Sequence, residues 1–542
     1  MFLNRKQSQL VGIRITTIDD AMGKRMSTKF LKSSFQMLLC ALAIVSIAAC
    51  GGGGSSSPAT PTPTTPTTPA PVTPVLSDFM FMSSTNSGVS ETIRAEINDS
   101  TICIRTPKVM DVSNLVATFV FTGASVLVGD VEQVSGVTVN DFTQPVTYTV
   151  RNAAGTGKNY TIELMQFTGL PVINLTTDNG NDITNRDDYT TGTVEVFGNG
   201  VVSDLDNMEM EIRGRGNSTW GMPKKPYQMK LAAKREFLDM ENDKKWLFLA
   251  EYADKTMLRN KIAYELGYLS ALDWTTDSEF AEVFLNRNYI GTYHITQKVE
   301  EGGDRVDIGD DGFLLEIDQL DRLDPDDVYF ETDTFLINIK EPSLAQGDSQ
   351  YLYISRLVHE FEQALYGNQF ADPVNGYQKY IDLDSFIDWY LISEITKNVD
   401  SRSFSSIYFH VIPGEKIKMG PLWDFDLSFG NVDYADPEFP EGFWIKQHPW
   451  YERLFQDPNF VRQVQERFAY YDENRDFLLA KVDEYADKLR YAQAENDARW
   501  QTIGIYVWPN PVVLDTYEAE VDRLKSWFNT RMDWLDNALN QL

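Results

Sequence analysis

KNVDSRSFSSIYFHVIPGEKIKMGPLWDFDLSFGN, residues 397–431, is the stretch on which the reading of this 542-residue chain turns. It carries a lone acid, Asp400, just past a helical pattern, then two β-like segments, then an acidic pair, Asp424 and Asp426. Trp423, Phe425 and Phe429 flank the pair. Carboxylates in such aromatic surroundings are costly unless a cation or hydrogen bonds compensate them. The spacing reads as a catalytic loop, a short hairpin and a metal-binding turn.

Upstream, a helix over 385–397 repeats apolar residues at Ile387, Tyr390, Leu391 and Ile395, with Glu394 as a polar exception, and delivers Asp400. Further back, the β pattern of 194–198 and 208–217 ends in Arg213-Gly214-Arg215-Gly216-Asn217-Ser218. Glycines let a loop approach a phosphate closely and present its N–H groups. A strand then sets Tyr227, Met229 and Leu231 on one face and Lys230 on the other. A lone Gly-rich loop is weak evidence, but a strand lysine some 14 residues later strengthens it. The bland alternative is a tight hairpin with a surface lysine. A helix over 255–266, N-capped by Asp254, buries Leu258, Ile262, Leu266 and Leu269. Arg259, Asn260 and Glu265 lie off that stripe, either solvated or turned to the site, Arg259 toward phosphate or Glu265 toward Lys230.

Residues 281–300 read as a hairpin turning at Asn286-Arg287-Asn288, and 312–318 as a strand. The acidic loop with Asp318, Asp321, Asp324, Asp326 and Asp327 lacks the Gly and terminal Glu of an EF-hand, so solvation is favoured over calcium binding. After Asn431 the 3.6-residue periodicity with charged outer faces reads as a helical bundle that braces the site or forms a substrate platform.

At the other end, Lys29 and Lys32 precede FQMLLCALAIVSIAA (35–49), which ends at Cys50. A basic start, a short apolar core and small residues before a Cys read as a signal region (1–49), too short for a spanning helix. Residues 50–75 are a Gly/Ser then Pro/Thr linker that supplies reach. Residues 76–167 hold short segments rich in Val, Ile, Thr, Tyr and Phe, separated by Gly/Asn/Asp turns, which read as a small all-β sandwich. Residues 170–542 mix strands and helices, so the expected class is α+β.

Composition narrows the partners. Without residues 1–49 the chain has 41 basic and 77 acidic side chains, a net −36, which disfavours nucleic acid and anionic membrane surfaces and favours divalent cations or basic substrates. Cys40 and Cys50 lie in the export signal, leaving Cys103 alone in the folded body with no disulfide partner. His294, His359, His410 and His448 show no close pairing, which argues against zinc or a Cys–His nucleophile.

Phosphoryl transfer needs phosphate-cradling N–H groups, a basic side chain, metal-holding carboxylates and an acid that orients the acceptor hydroxyl. One candidate for each stands here in kinase order: Gly216, Asn217 and Ser218 with Arg215 beside them, Lys230 for the α/β-phosphates, Asp400 as base, and Asp424 and Asp426 for metal. Neither HRD nor DFG is present, which excludes an ordinary protein kinase by motif. RGRGNSTW…KKPYQMKL, DKTMLRNKIAYEL, KNVDS and GPLWDFDLSFGN together resemble the spore-coat protein H (CotH) kinase family, over roughly 190–440.

That resemblance implies an atypical protein-kinase-like catalytic domain, ATP with Mg²⁺ or Mn²⁺, and a protein hydroxyl as acceptor. It assigns Asp400 to the catalytic-loop acid and Asp424/Asp426 to the metal acids. Ser405 departs from it, standing where many relatives place an Asn that could hold a second metal. The Ile47-Ala48-Ala49-Cys50 tetrapeptide looks like a bacterial lipobox, which implies a lipid on Cys50 and a lipid-anchored, extracytoplasmic protein of the bacterial cell envelope. The 76–167 module resembles the immunoglobulin-like modules beside such tethers. Two other classes stay open: an inert adhesion or binding scaffold, and another ATP-dependent transferase.

Overall fold

Alternating apolar and polar side chains build the first layer of the protein. Residue Leu115 and its alternate neighbours Ala117 and Phe119 turn inward from one strand, while Val116, Thr118 and Val120 do not. The computed structural model describes residues 72–89 and 92–542. The signal region, Cys50 and most of the linker lie outside the described residues. Strands β1 (Val75–Phe81), β2 (Ile93–Arg94), β5 (Leu115–Thr122) and β8 (Val139–Asn140) form one sheet. The second sheet holds β3 (Glu96–Asn98), β4 (Thr101–Pro107), β6 (Ser125–Val128), β7 (Val131–Glu132), β9 (Val146–Arg151) and β10 (Gly157–Phe167). They share one core in which Phe79 meets Tyr148 edge-on at 5.4 Å and Phe81 meets Phe142 at 5.1 Å. The expected β-rich module is present, and Cys103 is a free thiol on β4.

Seven strands then close on themselves: β11 (Val172–Thr177), β12 (Thr190–Phe197), β13 (Leu205–Gly214), β14 (Tyr227–Phe237), β15 (Met240–Leu249), β16 (Ser278–Leu285) and β17 (Asn288–Gln297). Parallel pairing of β11 with β16 closes the barrel and removes both edges. Met229, Leu231, Trp246 and Ile295 are among the side chains that fill it. The β16–β17 turn places Asn286 and Arg287 at φ 50° and 69°, the left-handed pair that a two-residue hairpin loop requires.

Helix α1 (Arg259–Tyr268) starts four residues later than its sequence pattern predicts, and Asp254 is not its N-cap. The Asp254 carboxylate instead accepts from the N–H groups of Thr256 (3.0 Å) and Arg259 (2.9 Å), which folds 254–258 into a turn. The off-stripe residues are not solvated. Arg259, Asn260 and Glu265 are all buried, because α1 packs against the helices that follow.

A five-stranded sheet, in the order β19 (Val328–Glu331), β20 (Leu336–Glu341), β18 (Phe313–Asp318), β21 (Ile407–Val411) and β22 (Lys418–Met419), has two unlike faces. Leu315, Ile317, Ile337, Ile339, Ile407 and Phe409 join the helical core. Glu316, Asp318, Asn338, Lys340 and Tyr408 occupy the alternate positions. The core continues through α2 (Ser349–Tyr366), α3 (Leu383–Thr396), α4 (Pro449–Leu454), α5 (Pro458–Glu473), α6 (Arg475–Leu489), α7 (Ala492–Trp500) and α8 (Tyr517–Leu539).

Helix α3 is capped by Asp382, whose carboxylate accepts from Ser385 N–H at 2.9 Å, and is buried on all sides from Ser385 to Thr396. Its sequence therefore shows no clean stripe. The polar exception, Glu394, is fully buried and paired with Arg531 of α8 at 2.6 Å. Among the described residues no helix is long and apolar enough to cross a membrane.

Candidate active site

The end of α3 determines where Asp400 sits. Lys397 takes a left-handed conformation (φ 51°) and stops the helix. Its ammonium donates to the carbonyls of Asp436 (3.1 Å), Phe439 (2.9 Å) and Glu441, which anchors the segment that follows the acidic pair. The next residue, Asn398, bridges the two acidic stretches. Its Oδ1 accepts from Asp400 N–H at 3.3 Å, and its Nδ2 donates to the Asp424 carbonyl at 3.0 Å. Val399 N–H to Leu427 O (3.2 Å) and Phe429 N–H to Thr396 O (2.7 Å) complete the seam. Asp400 opens a single 3₁₀ turn (Asp400–Arg402), and Phe404 N–H returns to its carbonyl at 2.9 Å.

On the other side of the seam, Asp424 holds a left-handed backbone (φ 65°), a sparsely populated conformation for a non-glycine residue that its surroundings must impose. Phe425 N–H donates to Asn260 Oδ1 at 2.7 Å, and Arg259 Nε donates to Ser428 O at 3.1 Å. Asn431 Nδ2 donates to Asp426 O at 3.0 Å and is held in turn by Asn510 Nδ2, which donates to Asn431 Oδ1 at 2.9 Å. Thus two off-stripe residues of α1 turn to this segment, Asn260 to the Phe425 amide and Arg259 to the Ser428 carbonyl, with Arg259 also paired to Asp254 rather than free for phosphate. Glu265 turns away and accepts from the Tyr485 hydroxyl.

The carboxylates crowd one another. Burial, then the charge of Asp424, pushes Asp400 up to about 7, while Arg322 opposes the shift. Burial raises Asp424 against the pull of Arg215, Arg322 and the Ser406 hydroxyl, which lies 3.4 Å from Oδ2. Asp426 is pushed well above the carboxylate range by burial and by Asp424, Glu251, Asp400 and Asp254. Glu251 joins them, raised to about 8 by burial and by Asp254; its Oε1 lies 3.1 Å from both Asn260 Nδ2 and His294 Nδ1. Neither Glu251 nor Asn398 was singled out from sequence. Glu251 belongs to no motif, Asn398 stands unremarked inside KNVDS, and both act only through contacts made by the fold.

Asp400, Asp424, Asp426 and Glu251, all raised by burial, form a site that favours added positive charge, whereas Asp254 is already paired with Arg259. Among the described residues no group of three or more His, Cys, Asp or Glu side chains forms a ready-made cation cage. Mg²⁺ usually takes one or two carboxylates and completes its octahedron with water and phosphate oxygens. The Asp424/Asp426 pair fits that requirement.

The predicted phosphate residues divide into two groups. Arg215 reaches the site: its guanidinium lies 5.6 Å from the centroid of the Trp423 ring, within the field of Asp424 and Asp426. Gly216 has φ +81°, and a Cβ there would sit 2.2 Å from Thr219 Oγ1, so the turn requires glycine. Asn217 and Ser218 are exposed, and Arg186 Nη1 holds both Gly216 O (2.6 Å) and Asn217 Oδ1 (3.2 Å). Ser218 precedes a single 3₁₀ turn (Thr219–Gly221), not a helix.

Lys230 is not brought to the acids. Alternation on β14 turns it out of the barrel, where it pairs with Glu211 at 3.1 Å, half exposed, beside a surface cavity of about 550 Å³. Lys224 is buried but is also committed elsewhere, donating to Thr292 O and, at 2.9 Å, to Asn496 Oδ1. The acidic loop after β18 contributes a residue that sequence reasoning missed, Arg322, whose Nη1 donates to Ser405 Oγ at 2.8 Å.

Comparison with known proteins agrees with this architecture at the level of family. No curated protein matches the chain. Among solved structures, one from Bacteroides thetaiotaomicron described as a "putative glycoside hydrolase" matches at 15% identity over 52% of this chain and 86% of that one. Its TM-score of 0.15 supports no inference about fold or activity. The family model described as SGBP, N-terminal matches residues 83–164, within the β-sandwich. The family model described as CotH kinase protein matches residues 212–535, well over half of the chain, and the chain belongs to that family.

Proposed function

We propose that this protein is an atypical kinase that transfers the γ-phosphoryl group of ATP to a protein hydroxyl with one divalent cation. The observation that carries the reading is the seam that joins Asp400 to the Asp424/Asp426 turn through Asn398. Two acids of separate loops are thereby fixed together, as in-line transfer requires. Asp424 and Asp426 would hold the cation, which supplies charge neutralisation at the phosphate oxygens. Arg215 faces the same phosphates. Asp400 orients the acceptor hydroxyl and takes its proton as the new O–P bond forms and the bond to the ADP oxygen breaks. A pKa near 7 suits a base that must exchange that proton near neutrality. Lipidation at Cys50 would hold the enzyme outside the cytoplasm, at the end of the Gly/Ser/Pro/Thr linker.

Asp400→Asn tests the assignment. Transfer of labelled phosphate should be abolished while ATP binding is spared. Transfer at the wild-type rate by Asp400→Asn, Asp424→Asn and Asp426→Asn alike would refute the site.

A further inference from the structure

Ser405 Oγ, buried and two positions before β21, does not point free into the cleft, because Arg322 Nη1 donates to it at 2.8 Å. Three further contacts show that this pairing is built rather than incidental. The Arg322 guanidinium lies 4.5 Å from the centroid of the Phe404 ring. Gln319, on the same short turn, donates from Nε2 to Phe404 O at 2.9 Å and to Ser403 O at 3.3 Å. The turn Leu320–Arg322 and its N-cap Gln319 thus grip all three residues from Ser403 to Ser405. In a kinase catalytic loop, an Asn side chain in this region supplies an oxygen to a second metal ion. Here a hydroxyl stands in its place and already accepts from a cation.

We propose that Arg322 takes the place of a second divalent cation, so that the site operates with a single metal; this rests on the phosphotransferase reading above. A guanidinium is permanently charged and has five N–H donors, of which the Ser405 bond uses one. The others can meet phosphate oxygens, as an arginine supplied in cis does elsewhere. Its charge also repels a second dication from the same position. The residue after Ser405, Ser406, lies 3.4 Å from Asp424 Oδ2 through its hydroxyl, so the segment that Arg322 holds borders the metal side of the cleft.

The test is the number of Mn²⁺ ions bound by the full protein saturated with a non-hydrolysable ATP analogue, counted from the loss of the free-Mn²⁺ electron paramagnetic resonance signal. Wild type should bind one nucleotide-dependent Mn²⁺, and Arg322→Lys should keep one. The Arg322→Gln/Ser405→Asn variant should bind two. Two ions in wild type would overturn the proposal while leaving the nucleotide site standing, as would a single ion in the double variant. No nucleotide-dependent Mn²⁺ in wild type would overturn both the proposal and the kinase reading beneath it.

Discussion

Arg531→Met should loosen the segment that follows the acidic pair. Arg531 and Glu394 are fully buried, and their 2.6 Å contact is one part of a wider clamp. Arg531 also donates to the Glu394 carbonyl (2.8 and 3.1 Å) and to the carbonyls of Pro440 (2.7 Å) and Gly442 (2.8 Å). Glu394 accepts from the amides of Trp444 and Lys446, each at 2.8 Å. The substitution leaves a carboxylate unpaired in the core, at a cost of about 3–5 kcal/mol. At about 1.4 kcal/mol per tenfold, amides in 440–446 should exchange roughly 140- to 3,700-fold faster. Hydrogen exchange read by mass spectrometry resolves this, and peptides of the β-sandwich serve as an internal control. Adding Glu394→Gln removes the stranded charge and should recover about half of the loss, since a neutral amide is far cheaper to bury. Exchange within threefold of wild type in the single variant would refute the reasoning.

Other expectations follow from single side chains. Lys230→Ala should change nucleotide affinity by less than about fivefold, since an exposed ion pair contributes at most ~1 kcal/mol and lies away from the acids; a tenfold loss in a binding titration would place Lys230 back in the site. His448 caps α4 through Nδ1, which accepts from Trp450 N–H at 3.2 Å, and burial pushes its pKa down from 6.5 to about 3. The unfolded chain therefore binds a proton that the fold refuses. The contribution of His448 to stability is complete above pH 6.5 and is lost as pH drops toward 3. His448→Asn keeps a capping side chain and should flatten that slope by up to about 1.4 kcal/mol per pH unit; identical slopes in denaturation across pH 4–7 would refute it.

What sequence revealed and what it hid divide along physical lines. Short-period patterns were legible: the sandwich strands, the β16–β17 hairpin, and the alternation that sets Met229 inward and Lys230 outward. So was the spacing from Asp400 to Asp424. The destination of an outward-facing residue was not legible, since alternation names a face but not what covers it. Lys230 accordingly went to solvent and Asn260 to the Phe425 amide. Helix α3 illustrates the same limit. A helix enclosed on all sides loses its stripe, and Glu394 looked like an exception because its partner lies 137 residues away. The Asp254 turn mimicked an N-cap because both use a carboxylate accepting from nearby N–H groups. Arg322 was hidden for a third reason: a loop with five acids reads as solvated, and nothing local marks the one base that crosses to Ser405.

The most direct test of the kinase account is a calorimetric titration of the purified protein with ATP, with Mg²⁺, with Mn²⁺ and with neither, beside Asp424→Asn/Asp426→Asn. The account predicts binding that requires a divalent cation and disappears in the double variant. A folded wild type that binds no ATP with either cation would contradict it and leave the chain as a binding scaffold with an inert site.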